Sequence, residues 1–204
     1  MESNFSNMIE AGIDEAGRGP LCGPVYAAAV IWDKNLENYE EIKFIRDSKK
    51  LTSKRRNIAY EFLKKNLKYY GIGSASNVEI DNINILEATK LAMKRAVSNL
   101  INKLPNTINL ELLIIDGIRW EKCFDIESKS IIKGDDKYYS ISAASIIAKE
   151  EHDISVINYV KNNPELNEKY DLLKNKGYGT KKHLIGLEEN GPSDYHRRSF
   201  KRCH

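Results

Sequence analysis

Residues 8–32 read Met8-Ile-Glu-Ala-Gly-Ile-Asp-Glu-Ala-Gly-Arg-Gly-Pro-Leu-Cys-Gly-Pro-Val-Tyr-Ala-Ala-Ala-Val-Ile-Trp32. Both ends of this stretch look like strands, over 8–13 and 24–32, the second rich in Val, Ala and Ile and bounded by Gly and Pro. Asp14 and Glu15 follow the first strand directly, where a buried element meets a loop. As a dinucleotide loop the intervening string fails: Gly23 comes one residue late for G-x-G-x-x-G, and Pro20 and Pro24 obstruct the helix that should follow. It also lacks the Lys-Ser/Thr ending of a P-loop. Gly17, Gly19 and Gly23 around Arg18 suggest instead a tight loop whose backbone amides can approach a ribose hydroxyl or a phosphate closely.

Outward from this stretch, residues 52–68 predict a helix capped by Thr52 or Ser53, with Ile58, Phe62, Leu63 and Leu67 on one face. Residues 69–75 make a short strand broken by two glycines. A helix over 85–104 carries the stripe Leu86, Thr89, Met93, Val97 and Leu100, and Pro105 stops it. Residues 110–115 form an apolar strand ending at Asp116-Gly117, and 130–133 a weaker one. A long helix from about residue 138 ends before Pro164; its Ser142-Ala-Ala-Ser145 segment lacks bulk and can lie close against a sheet. The expectation is an α/β core of mixed strand order over 1–164 and a small basic helical C-terminal extension over 165–204.

A chain of 204 residues suffices for one well-buried core. With 41% hydrophobic and 30% charged residues it reads as a soluble globular protein. Its longest apolar run, 25–32, is too short to cross a bilayer, and the polar first ten residues carry no signal peptide, so a cytoplasmic location is expected. Cys22, Cys123 and Cys203 form no C-x-x-C pair and so support neither a zinc knuckle nor a disulfide framework. Net charge is +3, unevenly placed. Residues 174–204 hold eight Lys/Arg against three Asp/Glu, leaving 24 against 26 in residues 1–173. A basic tail on a nearly neutral body suits a polyanionic partner, although a solvated helical face would look the same.

Asp116 ends a buried strand and Asp135 precedes the long helix, so these acids, like Asp14 and Glu15, sit at the junction of a buried element and a loop. Four carboxylates gathered there would repel one another unless cations neutralised them. Oxygen-only ligands with room for water and phosphate favour Mg²⁺ or Mn²⁺ over zinc. Two such ions, roughly 3.5–4 Å apart, can align an attacking water and a leaving oxygen across a phosphodiester. The residues alone therefore point to a metal-dependent nuclease. The histidines make no metal-ligand spacing; His152 is expected to be structural, with His183 and His196 as candidates for substrate contact. Cys22 reads as packing.

Seven segments together resemble the ordered motif set of ribonuclease HII. They are residues 12–24, Asp47-Ser-Lys-Lys-Leu-Thr52, Ile115-Asp-Gly117, Lys133-Gly-Asp135, Ser140-Ile-Ser-Ala-Ala-Ser-Ile-Ile-Ala-Lys149, Lys176-Gly-Tyr-Gly-Thr180 and His196-Arg-Arg-Ser-Phe200. The resemblance implies a ribonuclease H-like mixed β-sheet flanked by helices. It implies cleavage of RNA in RNA–DNA hybrids and at single ribonucleotides in duplex DNA, leaving 5′-phosphate and 3′-hydroxyl ends. By position, Asp14, Glu15, Asp116 and Asp135 match the metal-binding acids, with Asp14 shared between two ions; the Lys-Gly-Asp match selects Asp135 over its neighbour Asp136. Gly17, Arg18 and Gly19 match the loop that contacts the ribose 2′-hydroxyl, and Tyr178 the ring that stacks on the sugar at the RNA–DNA junction. Lys49, Lys50, Arg197 and Arg198 lie in basic segments and are candidates for phosphate contact.

Two other classes stay open at this point: a two-metal nuclease of the same fold acting on all-DNA substrates, and a non-catalytic hybrid-binding module. The related ribonuclease HIII carries an extra N-terminal domain, for which a first strand starting within about ten residues of Met1 leaves no room. A monomer is expected, and no membrane or protein partner is indicated.

Overall fold

The computed structural model describes residues 1–46, 48, 51–118, 120 and 123–203. Five strands form one mixed sheet: β1 (Glu10–Ala16), β2 (Val25–Ile31), β3 (Tyr69–Ala75), β4 (Leu112–Asp116) and β5 (Glu127–Ile131), in the order β3-β2-β1-β4-β5. β1, β2 and β3 pair antiparallel; β4 joins β1, and β5 joins β4, in parallel. The helices are α1 (Ser53–Asn66), α2 (Asn77–Ile101), α3 (Tyr139–Asn162), α4 (Glu165–Tyr170), α5 (Leu172–Asn175) and α6 (Lys181–Asn190). α2 covers one face of the sheet, and α1 with α3 the other. Among the described residues no helix is long and apolar enough to cross a membrane.

Four elements differ from the sequence reading. β1 runs on to Ala16, which pairs with Tyr26, so Asp14 and Glu15 lie inside the strand and not after it. β3 is unbroken, because Gly71 and Gly73 serve packing: a Cβ on Gly73 would lie 2.2 Å from the carbonyl oxygen of Ala92, in α2. β5 begins at Glu127; as a polar edge strand it lacks the apolar alternation that marks strands in sequence. α2 begins at Asn77, with Ser76 and Glu79 in a capping box. Asn84 then leaves helical geometry (φ 67°) and its side chain accepts from the Leu86 and Glu87 amides, restarting the helix where periodicity had placed its beginning.

Gly73→Ala is expected to destabilise the protein by at least ~2 kcal/mol, within the range for overpacking, because the clash is with backbone and no rotamer relieves it. Chemical denaturation measures this; an unchanged midpoint would mean that α2 can lift off β3 freely. The low-bulk segment of α3 behaves as expected, with Ser142, Ala143, Ala144 and Ser145 all buried against the sheet. Gly12 allows that approach, since a Cβ there would lie 2.4 Å from the Ile141 amide nitrogen. Residues after 164 pack on the far end of α3 and on Leu21 and Cys22 through one shared apolar cluster.

Candidate active site

Strand alternation sorts the acids. Ala11 and Ile13 of β1 bury on the α2 side, whereas Gly12 abuts Ser140 and Ile141 of α3. Asp14 shares the parity of Gly12 and faces α3, and Glu15 takes the opposite direction. In β4, Leu113 and Ile115 join the α2-side core, while Leu112 and Ile114 pack with Ile141, so Asp116 also faces α3. Ile13 pairs with Ile115, which sets Asp14 and Asp116 one residue further along neighbouring parallel strands. The turn Gly134–Asp136, leading into α3, brings in Asp135. One carboxylate oxygen from each of Asp14, Asp116 and Asp135 lies within 4.8 Å of the other two. Asp135 is 8% exposed while Asp136 faces solvent, so the first of this acidic pair is the one that enters the cluster.

These carboxylates are held in place by a few donors. Asp116 Oδ1 accepts from the Gly134 amide (2.7 Å), and Asp14 Oδ1 from the Glu15 amide (2.7 Å). Ser145 of α3 donates to Asp14 and shares a hydrogen bond with Ser48 (2.9 Å). Burial, and then the charges of Glu15 and Asp116, hold the Asp14 carboxyl well above the usual carboxylate range. A buried, mutually repelling, oxygen-only donor set fits a hard divalent cation such as Mg²⁺ or Mn²⁺.

Glu15 is outside the group of three mutually within 4.8 Å, although its charge acts on Asp14. It accepts from Arg18 Nη1 (3.1 Å) and lines an adjoining cleft of about 450 Å³ with Gly17, Arg18, Gly19, Lys149 and Tyr178. The cleft thus gathers the glycine loop and Tyr178, 159 residues later in the chain (178 minus 19). A Cβ on Gly19 would lie 3.6 Å from the Tyr178 ring.

Arg197 corrects the sequence reading most. Expected as a phosphate contact, it is fully buried, and all five of its N–H donors go to backbone carbonyls of the glycine loop. Nε donates to Gly23 (2.8 Å), Nη1 to Arg18 (3.1 Å) and Pro20 (2.8 Å), and Nη2 to Gly17 (2.6 Å) and Pro24 (3.1 Å). Nothing remains for a phosphate. Burial brings its guanidinium down to about 10, still charged at neutral pH. Because C=O and the following N–H point opposite ways in a trans peptide, drawing the Gly17 and Arg18 carbonyls inward turns the Arg18 and Gly19 amides outward, toward the cleft. Gly17 makes this path possible, with φ of +88° and a His152 ring carbon 2.4 Å from where its Cβ would be.

Arg198 is exposed and pairs with Asp194 (3.1 Å), on the surface where a phosphate contact needs it. Lys49 and Lys50 lie outside the described residues. His152 is buried, as expected, and bonds Asp153 through Nδ1. His183 and His196, read as candidates for substrate contact, are buried and bonded to each other, out of reach of a substrate. Lys149 was passed over in the sequence. Its ammonium is fixed by Asp153 one helical turn away (2.7 Å) and sits 5.2 Å over the Tyr178 ring. The i, i+4 acid was the available signal for it.

The family model of ribonuclease HII matches residues 11–203. A ribonuclease HII of Bacteroides thetaiotaomicron is 46% identical over 194 residues, covering 95% of this chain and 90% of the relative. The crystal structure of ribonuclease H2 from Pyrococcus horikoshii superposes with a TM-score of 0.69 at 25% identity, covering 95% of this chain and 94% of that one. Bst ribonuclease HIII, solved in complex with Mn²⁺, shares the fold with a TM-score of 0.72 at 18% identity, over 98% of this chain and 69% of that one.

Proposed function

The chain belongs to the ribonuclease HII family of hydrolytic, metal-dependent endoribonucleases that act on RNA–DNA hybrids, and from that premise we propose that it also cuts at single ribonucleotides embedded in duplex DNA. Both cleavages would leave 5′-phosphate and 3′-hydroxyl ends. One observation carries this reading: a three-aspartate cluster adjoins a cleft lined by the glycine loop, whose carbonyls are drawn back onto Arg197.

In this reading Asp14, Asp116 and Asp135 would hold the metal, Asp14 as the shared ligand, and Glu15 would join from the cleft side. When bound, Mg²⁺ or Mn²⁺, two ions per site, would neutralise the carboxylates, acidify the attacking water and offset charge on the leaving oxygen. The chain's own groups supply recognition. The Arg18 and Gly19 amides donate to the 2′-hydroxyl, the only handle that separates RNA from DNA at one nucleotide. They read it without regard to base. The Tyr178 ring lies against the neighbouring sugar, where a deoxyribose fits closely and a second hydroxyl does not. Lys149 and Arg198 would meet phosphates, so binding weakens with salt. Residues 165–204, as a helical extension, bring Tyr178 and Arg198 to a catalytic body formed by 1–164. A cytoplasmic monomer completes the proposal.

The test is cleavage of a duplex carrying one ribonucleotide beside an all-DNA duplex of the same sequence, with Mg²⁺, Mn²⁺ or a chelator. Cutting at the ribonucleotide alone, abolished by the chelator, is the expected result. Equal cutting of both duplexes would sink the proposal and favour a DNA nuclease.

A further inference from the structure

Behind Tyr178 lies a second polar cluster that the reaction does not use. Sγ of Cys22 and one ring nitrogen each of His183 and His196 lie within 4.8 Å of one another, and all three residues are buried. A metal ion is the first candidate occupant, but the outer nitrogens of the two rings argue against it. The Ser193 amide donates to His196 Nδ1 (3.0 Å), so that nitrogen carries a lone pair and Nε2 carries the proton. His183 Nδ1 lies 3.0 Å from the Tyr178 carbonyl oxygen, which can only accept, so here Nδ1 carries the proton and Nε2 the lone pair. The two Nε2 atoms are 2.9 Å apart. One arrangement satisfies every contact: Ser193 N–H and Ser193 Oγ–H (2.8 Å) both to His196 Nδ1, His196 Nε2–H to His183, His183 Nδ1–H to the Tyr178 carbonyl. A metal on His196 Nε2 would force a proton onto Nδ1, directly against the Ser193 amide.

Both rings are neutral in this arrangement. Burial lowers His183, and burial with the neighbouring His183 lowers His196 to about 4. The other titratable groups against the pair are Cys22, whose thiol burial pushes up to about 12, and Tyr170, whose ring packs on both imidazoles. The segment that starts the relay also ends the glycine loop: Arg197, next to His196, holds the loop carbonyls, and Cys22 bridges His196 in antiparallel fashion. Both walls of the cleft are thereby tied to one short stretch of chain.

We propose that His183 and His196 are positioning residues, a neutral two-imidazole relay that fixes the Tyr178 backbone, and so its ring, at a set distance from the glycine loop. The proposal rests on the reading of Tyr178 as the residue against the sugar beside the ribonucleotide. Its consequence is discrimination: without the relay the Tyr178 backbone is left with its bonds to the Thr180 amide and the Asn175 carbonyl, and the ring separates a deoxyribose neighbour from a ribose one less well.

The experiment compares cleavage of a single-ribonucleotide duplex with cleavage of a continuous RNA–DNA hybrid for wild type, Tyr178→Ala, His183→Leu, His183→Asn and the double variant Tyr178→Ala/His183→Leu. His183→Leu should lower the preference for the single ribonucleotide about fivefold, the equivalent of one neutral hydrogen bond. His183→Asn, whose amide can still donate to the Tyr178 carbonyl, should recover part of it. Adding His183→Leu to Tyr178→Ala should cost nothing more in preference. Equal loss on both substrates, or additive loss in the double variant, would overturn the relay while leaving the role of Tyr178 intact. Wild-type preference in Tyr178→Ala would instead remove the premise and the relay with it. Nitrogen-15 NMR of the wild-type imidazoles needs no variant to fold: it should find His183 protonated on Nδ1 and His196 on Nε2, and the opposite tautomers would refute the proposal.

Discussion

Replacing Asp116 by asparagine is expected to abolish cleavage while leaving folding and substrate binding intact. The variant keeps an oxygen to accept from the Gly134 amide, and the bond from Trp120 Nε1 goes to the Asp116 backbone carbonyl, which the substitution leaves in place. What changes is one negative charge in the cluster. Outer-shell changes at metal sites typically cost ~10–100-fold, and loss of a ligand charge should exceed that. The metal-free variant should be no less stable than wild type, because Asp116 is one of the charges that raise the Asp14 pKa. A folded-state pKa above the unfolded one means that metal-free protein loses stability as pH climbs from the ordinary carboxylate range through the raised Asp14 value. Asp116→Asn should flatten that loss in thermal unfolding. Cleavage at the wild-type rate would refute the metal-site assignment.

Arg197→Lys carries the second large effect, this time on the fold around the site. Lysine keeps the charge but offers three donors where five carbonyls are bound. A cost of about 3–5 kcal/mol is expected, as for other disrupted buried charge networks, and with it a fall in Tm on the order of 10 °C. Because the loop amides lose their aim, cleavage beside a ribonucleotide should fall even at temperatures where the variant stays folded. Arg198→Ala, at an exposed position, should change stability by no more than ~0.5 kcal/mol. It should lower the salt dependence of binding by about one unit of slope. Equal stability of Arg197→Lys and wild type would show that the loop holds its shape without the guanidinium.

The sheet and its principal helices were legible because their signals are local. β4 is a run of apolar residues, α1 has a capping residue, Asp116 falls where a buried strand ends and Asp135 just before the long helix. The edge strand β5 was blurred because its stability comes from pairing with β4, which leaves no mark on polar residues. Three aspartates separated by up to 121 positions (135 minus 14) could be grouped from their places beside buried elements, and motif order reinforced the grouping; strand parity explains why Asp14 and Asp116 meet, and the turn before α3 brings in Asp135. Arg197 was misread for the opposite reason. In sequence it is one cation of a basic tail, and only the fold reveals five carbonyls around it. The histidine pair was equally opaque, since a ring's proton is decided by partners that sequence does not bring together.

The most direct measurement is Mn²⁺ uptake, followed by the electron paramagnetic resonance of free Mn²⁺ as protein is added, with wild type and Asp116→Asn side by side. Wild type should withdraw Mn²⁺ from solution, and Asp116→Asn should withdraw at least tenfold less at the same concentration, on the order expected for a disturbed metal site. Identical uptake by the two proteins would place the metal elsewhere and contradict the three-aspartate centre.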